Sequence, residues 1–291
     1  MPANESKWRG VVVPTLSPFT PDLKVDAPAI GRIVERLVGA GIEGIFPLGT
    51  TGEAASIGFA QRREIVEATV KAVRGRSTVY AGVAANALSE SIAAAKDYAT
   101  LGGVSAVVAH PPSYYAIGDD EVYGWFNRLA DASPLPLVLY NIPQTTHLNI
   151  ALPVIAKLAK HGNIVAIKDS SPDADRIAAL LDQCGGRGGF PVILGNSSLF
   201  THGLKRGGVG LVPSGAHVVP AEYQAMYVAA MDQNWPEVER LQAVTDAAVQ
   251  PYLKGRTIGG GLAKLKQILS QQGICGPTMM PPLATCTEES A

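Results

Sequence analysis

The sequence predicts a (β/α)8 barrel, the TIM-barrel architecture, continued by a C-terminal helical extension. Three observations carry that expectation: a regular alternation of short β-branched runs with longer helical segments, a count of eight such runs, and a change to helices alone after Pro213. The composition agrees. Of 291 residues, 47% are hydrophobic and 17% charged, and 31 glycines and 21 prolines punctuate the apolar runs without a repeating period. Such a chain can fill a large core with many short elements.

Strands are predicted at 10–15, 44–48, 78–82, 105–109, 137–141, 164–168, 192–195 and 209–213. Each is short, apolar and rich in β-branched residues, as a strand buried on both faces must be. Between them, 29–38, 61–73, 91–100, 120–130, 152–160 and 173–181 place apolar residues at helical spacing with charges on the other side. Eight strands, each followed by a helix or helical turn, favour a closed barrel over an open doubly wound sheet. Beyond residue 213, the segments 221–232, 236–249 and 262–270 read as helices with no further strand. The expected division is a barrel carrying the site over 1–222 and a helical extension over 223–291. The tail from Cys275 is irregular, because Pro281 and Pro282 bar a helix there.

With 24 Lys and Arg against 25 Asp and Glu, the formal net charge is −1, without the cationic surplus a nucleic-acid binder uses to displace counterions. The polar start, residues 1–9, lacks the apolar stretch of a signal peptide, and no uninterrupted run is long enough to span a bilayer. A soluble, cytoplasmic protein without membrane partners is expected. Cys184, Cys275 and Cys286 form neither a CxxC pair nor a zinc pattern and read as free thiols.

Some motifs look like chemistry and are better explained otherwise. Residues 39–44 match GxGxxG, but they follow a helix and precede a strand, the reverse of a dinucleotide fingerprint. The glycine-rich 185–189 stretch would lie on the helix-to-strand side of a barrel, away from the usual site. The five histidines show no metal-ligand spacing, so neither a zinc site nor a metal-dependent aldolase can be assembled from them. His110 and His217 stand near strand ends, where either lines a pocket or serves packing.

In a barrel the reactive groups stand at the carboxyl ends of the strands. Lys71, Lys96, Lys157, Lys160, Lys264 and Lys266 fall in amphipathic helices, where exposure is expected. Lys168 instead closes the apolar run 164–167 at the top of the sixth strand. Desolvation there disfavours the ammonium form, and a neutral amine is the nucleophile that makes Schiff bases with carbonyl compounds. Bringing a lysine from a pKa of about 10.4 to about 7–8 takes roughly 3–4 kcal/mol of environmental bias, which burial at a barrel mouth can supply. A strand-end lysine that snorkels to water is the competing explanation. Tyr140 closes the preceding strand and should open onto the same mouth, as a proton relay or as core. The second strand ends in Gly49-Thr50-Thr51-Gly52-Glu53, whose threonines and backbone amides could hold an anion, or which is simply a tight turn.

Taken in order, Gly49-Thr50-Thr51-Gly52-Glu53, Tyr140-Asn141-Ile142-Pro143 and Ile167-Lys168-Asp169-Ser170 resemble the dihydrodipicolinate synthase/N-acetylneuraminate lyase family, the pyruvate-dependent class I aldolases. The likeness runs from Gly10 to Leu283. It implies a homotetramer built as a dimer of dimers, and chemistry through a covalent lysine imine with no metal or organic cofactor. By resemblance, Lys168 forms the imine, Tyr140 shuttles protons through Thr50, and Thr50 with Thr51 holds the substrate carboxylate. Tyr114, or alternatively Tyr115, would cross the dimer interface to complete the relay. Gly49, Thr145, Ser197, Val212 and Ser214 are expected to line the substrate pocket.

Two departures bear on the substrate. Dihydrodipicolinate synthases usually place an arginine two residues after the proline of Tyr-Asn-x-Pro, where this chain has Thr145. No guanidinium fork is then available for a second carboxylate. N-acetylneuraminate lyases carry acidic residues after the glycine ending the seventh strand, where this chain reads Gly195-Asn196-Ser197-Ser198. The expected activity is cleavage or formation of a 2-keto-3-deoxy sugar acid, or a similar 2-keto acid, with pyruvate as the keto fragment. A 2-keto acid dehydratase or a dihydrodipicolinate synthase would use the same imine, and a non-catalytic 2-keto-acid-binding barrel is the alternative of another class.

Overall fold

The computed structural model describes residues 7–185 and 188–286. Eight parallel strands close on themselves in sequence order: β1 (Gly10–Pro14), β2 (Gly44–Phe46), β3 (Thr78–Gly82), β4 (Ala106–Ala109), β5 (Leu137–Asn141), β6 (Ile164–Asp169), β7 (Val192–Leu194) and β8 (Gly210–Leu211), with β1 pairing β8. Around them lie α1 (Ala27–Gly39), α2 (Phe59–Val73), α3 (Leu88–Ala99), α4 (Asp119–Ala132), α5 (Pro143–Thr146), α6 (Leu152–Leu158), α7 (Ala174–Cys184), α8 (Phe200–Lys205) and α9 (Pro220–Met231). Then come α10 (Trp235–Leu253) and α11 (Ile258–Gln271). This is the (β/α)8 barrel with a helical extension. The short α5 and α8 are additions to the elements expected from periodicity.

Strand alternation divides the core in two. Val11, Val13, Ile45, Leu137, Leu139 and Ile167 point outward into the layer between sheet and helices. Val12, Phe46, Val108, Val138, Tyr140, Ala166 and Ile193 point into the barrel. Lys168 shares the parity of Ala166, so the two-residue repeat of β6 aims it inward. The barrel is closed at the amino-terminal end by Trp8, packed edge-on against Tyr80 with ring centroids 6.0 Å apart. A floor filled by side chains leaves the carboxyl-terminal mouth as the open end.

Local signals set the helices. Asp26 caps α1 by accepting from Ala29 N at 3.0 Å, with a proline in the first turn. Asp173 does the same for α7 through the amides of Asp175 and Arg176. The GxGxxG stretch is a turn from α1 into β2, with Gly41 at φ +83. Of the glycine-rich 185–189 stretch, residues 186–187 lie outside the described residues, as do 1–6 and 287–291.

The division expected at 222/223 falls inside α9. That helix packs on β1 as well as on α10, and we propose that the barrel unit ends between α9 and α10. Lys266 also departs from expectation. The amphipathic pattern of α11 marks it as exposed, yet it is wholly buried beside Glu53. Among the described residues no helix is long and apolar enough to cross a membrane.

Candidate active site

Tyr140 and Lys168 are direct register partners at the carboxyl ends of β5 and β6. Lys168 is 5% exposed, and its Nζ lies 3.9 Å from the Tyr140 ring centroid and 5.1 Å from that of Phe46. Among the described residues no carboxylate comes within 4.0 Å of this amine. Its environment is aromatic, and the sequence neighbour Asp169 is turned to the other face of the strand.

Asp169 is fully buried and fully engaged. Its carboxylate accepts from Asn141 Nδ2 at 3.1 Å, from Ser171 N at 2.8 Å and from Arg176 Nη2 at 3.1 Å. Arg176 also donates to Ile150 O, and Asn141 Oδ1 accepts from Ile150 N. The network locks the ends of β5 and β6 together one residue beyond Tyr140 and Lys168. A glycine shapes the other flank. A Cβ at Gly195 would stand 2.0 Å from Ser170 Oγ and 3.0 Å from Lys168 Cε, so only a residue without a side chain lets Lys168 lie where it does.

Thr50 Oγ1 stands 3.4 Å from Tyr140 Oη, the long end of hydrogen bonding. The Gly49–Glu53 turn is held by bonds from Gly52 N to Gly49 O and from Glu53 N to Thr50 O. Thr51 is buried beside it at 8% exposure.

A cavity of about 310 Å³ opens over these groups. Thr50, Thr51, Tyr140 and Lys168 line it together with Ser197, Val212 and Ser214. Ser214 Oγ and Tyr252 Oη are 3.0 Å apart, placing a tyrosine of α10 in the wall. Gln144 and Asn196 add amides, while Leu253, Ile258 and Leu262 add an apolar rim from the extension. Lys168 is the one charged side chain among the lining residues.

Gly49 and Thr145 line a neighbouring cavity of about 580 Å³, which meets the first at Thr50 and Tyr140. The Thr145 hydroxyl donates to Ile142 O at 3.3 Å. Thr145 therefore faces the side of Tyr140 away from the Lys168 pocket. His110 lines the same second cavity, with Nδ1–H donating to Pro111 O at 2.8 Å. Burial holds its imidazole below the usual histidine range. Tyr114 and Tyr115 lie apart from both cavities, 78% and 75% exposed and packed edge-on against each other at 5.0 Å. His217 is a packing histidine: Leu16 N donates to its Nε2, and its Nδ1–H donates to Ser214 O.

Sequence reasoning missed Tyr252, Leu253, Ile258 and Leu262. Tyr252, Leu253 and Ile258 fall outside the helices expected at 236–249 and 262–270, and the longer α10 and α11 bring them, with Leu262, over the barrel mouth.

The profile of the Dihydrodipicolinate synthetase family matches residues 7–291. A 4-hydroxy-tetrahydrodipicolinate synthase of Listeria monocytogenes is 33% identical over 273 residues, covering 93% of this chain and 91% of its own length. One from Phenylobacterium zucineum is 31% identical over 281 residues, covering 97% and 93%. The chain belongs to the dihydrodipicolinate synthetase family. The structure of dihydrodipicolinate synthase from Bacteroides thetaiotaomicron superposes with a TM-score of 0.90 at 30% identity, covering 97% of this chain and 95% of that one. As a member of the dihydrodipicolinate synthase/N-acetylneuraminate lyase family, the protein is a class I, Schiff-base-forming carbon–carbon lyase acting on a small 2-keto acid. The family carries its chemistry on a covalent lysine imine and needs no cofactor. Among the described residues, no group of three or more His, Cys, Asp or Glu is placed to hold a metal ion.

Proposed function

We propose that Lys168 is the imine-forming lysine and that the enzyme cleaves or forms a 2-keto-3-deoxy sugar acid, with pyruvate as the keto fragment. The observation that carries this reading is a buried amine at the barrel mouth, in register with Tyr140, in a cavity that has no other charged side chain.

In the cleavage direction, Lys168 Nζ adds to the C2 carbonyl and water leaves, giving an iminium. Tyr140 gives its phenol proton to that departing water, and the resulting phenolate, beside Thr50, takes the proton of the C4 hydroxyl while the C3–C4 electron pair moves into the iminium. An aldehyde departs and an enamine remains. Protonation at C3 and hydrolysis then release pyruvate and restore the amine. Thr50 and Thr51 hold the pyruvate carboxylate. The aldehyde fragment lies toward Gln144, Asn196, Ser197, Ser214 and Tyr252, a set of amides and hydroxyls suited to a neutral polyol. Dehydration of a related 2-keto acid shares the imine and is the nearest competitor.

The relatives' names favour a second reading, synthesis of 4-hydroxy-tetrahydrodipicolinate through the same lysine imine. Against it stands Thr145, where synthases usually place an arginine, together with a Lys168 cavity that has no other cation among its lining residues; Arg62 lines the neighbouring cavity. The assembly we propose is a homotetramer, a dimer of dimers in which Tyr114 crosses the dimer interface. Two adjacent exposed tyrosines support a contact surface there.

Borohydride reduction in the presence of pyruvate, followed by peptide mass spectrometry, tests the imine. A reduced adduct on Lys168 is expected, and its absence sinks the reading. A panel of 2-keto-3-deoxy acids, alongside an assay for 4-hydroxy-tetrahydrodipicolinate formation, then separates the activities. Pyruvate release from the former supports aldol cleavage; turnover of a 2-keto acid without pyruvate release assigns the dehydratase.

A further inference from the structure

Glu53 ends the turn that carries Thr50 and Thr51, and it is tied to the far end of the chain. Its backbone sits in the left-handed region at φ +56, a conformation disfavoured for a residue with a side chain. Its side chain is wholly buried. Lys266 Nζ of α11, equally buried, lies 2.5 Å from Glu53 Oε1 and also donates to Thr278 O at 2.7 Å. The other carboxylate oxygen accepts from Met280 N at 2.8 Å. Lys266 Nζ stands 4.8 Å above the Phe19 ring, so the pair is walled by carbon on that side.

The turn has little freedom of its own to compensate. A Cβ at Gly52 would stand 2.9 Å from both Leu48 N and Thr15 O, and Ser17 Oγ donates to Gly52 O at 2.7 Å. The backbone from Gly49 to Glu53 is thus gripped on one side by Thr15 and Ser17, in the segment that follows β1, and on the other by the 266–280 segment. A buried ion pair is a poor way to gain stability, because two apolar side chains of like volume do as well or better. What it supplies is a fixed position.

We propose that the Glu53–Lys266 pair is a positioning element for the reaction: the helical extension reaches through it to set Thr50 against Tyr140. This rests on the Schiff-base reading above. The Thr50–Tyr140 contact is already long at 3.4 Å, so a small displacement of the turn breaks the relay while leaving Lys168, on β6, in place. A misplacement of about 1 Å can cost roughly a hundredfold in rate.

The test compares wild type with Lys266→Met combined with Glu53→Gln, which removes both charges and keeps an acceptor for Met280 N–H. Lys266→Arg, which keeps the charge and changes its geometry, serves as the second variant. Three quantities are read: thermal unfolding, the extent of borohydride-trapped pyruvate on Lys168, and exchange of pyruvate C3 hydrogens in D2O by NMR. Exchange and kcat are expressed per trapped site, so loss of folded protein cancels. The expected result is wild-type trapping at saturating pyruvate, with C3 exchange and kcat lower by about tenfold or more in both variants. Exchange and kcat within twofold of wild type, in either variant that folds, overturn the proposal. Failure of wild type itself to trap pyruvate overturns the Schiff-base reading instead.

Discussion

Asn141 and Asp169 face each other across β5 and β6, with Asn141 Nδ2 3.1 Å from both carboxylate oxygens of Asp169. One residue earlier on each strand stand Tyr140 and Lys168. The outward pair holds the inward pair. Removing the carboxylate strands the Arg176 guanidinium, which is only 11% exposed, without its ionic partner. Asp169→Ala is therefore expected to cost about 3–5 kcal/mol, read as a drop in the urea midpoint at neutral pH. A loss under 1 kcal/mol would show that the network contributes little to holding the two strand ends together.

Gly195→Ala tests the space around the amine. The new methyl must displace Ser170 Oγ or push Lys168 Cε, and both border the cavity. Imine trapping with pyruvate is expected to slow by about tenfold with the fold retained, judged by circular dichroism. Trapping at the wild-type rate would mean that the lysine has room to move aside.

Tyr140→Phe keeps the ring beside Lys168 and removes the hydroxyl facing Thr50. Turnover should fall by roughly 10²–10⁴-fold while pyruvate is still trapped at long incubation, as a lost proton relay requires. An unchanged kcat would move the relay elsewhere.

Tyr114→Phe examines the proposed interface contribution. A fall in kcat with trapping preserved, and with an unchanged sedimentation profile, is the expected pattern. Unaltered turnover transfers the role to Tyr115, for which the matching substitution is the control.

His217 sets a pH dependence of stability. Burial pushes its imidazole down to about 4, from 6.5 when free, and protonation would abolish the acceptor used by Leu16 N. Between those values the unfolded chain binds more protons than the folded one, so stability falls as pH drops. The contribution is complete above 6.5 and is lost toward 4, amounting to about 3 kcal/mol at full extent. A histidine that stays neutral in NMR titration down to pH 5, alongside a falling urea midpoint, is the expected signature. Titration of that ring near 6.5 in the folded protein would contradict it.

The barrel was legible because each strand is a short apolar run flanked by turn residues, and burial on both faces leaves no polar alternation to blur it. Lys168 and Tyr140 were legible because they interrupt such runs at their ends. Lys266 was misread for a physical reason: helical spacing reports which face is charged, but not that a carboxylate from another element occupies the space beside it. The wall residues Tyr252 and Ile258 were hidden in the same way, since their role depends on where α10 and α11 come to rest. Thr145 falls in the second cavity because α5 points successive side chains in different directions, Gln144 to the Lys168 cavity and Thr145 to its neighbour.

The cavity draws its walls from two sources with different freedom to change. Lys168 and Tyr140 belong to strand ends locked by register and by a buried network, and Thr50 to a turn held by hydrogen bonds, whereas Tyr252, Leu253, Ile258 and Leu262 come from helices outside the sheet. Substitutions in the latter can reshape what enters without disturbing the amine. Within that extension the two kinds of position are separate: the wall residues are free to change what enters, while Lys266 on the same helix stays tied to Glu53.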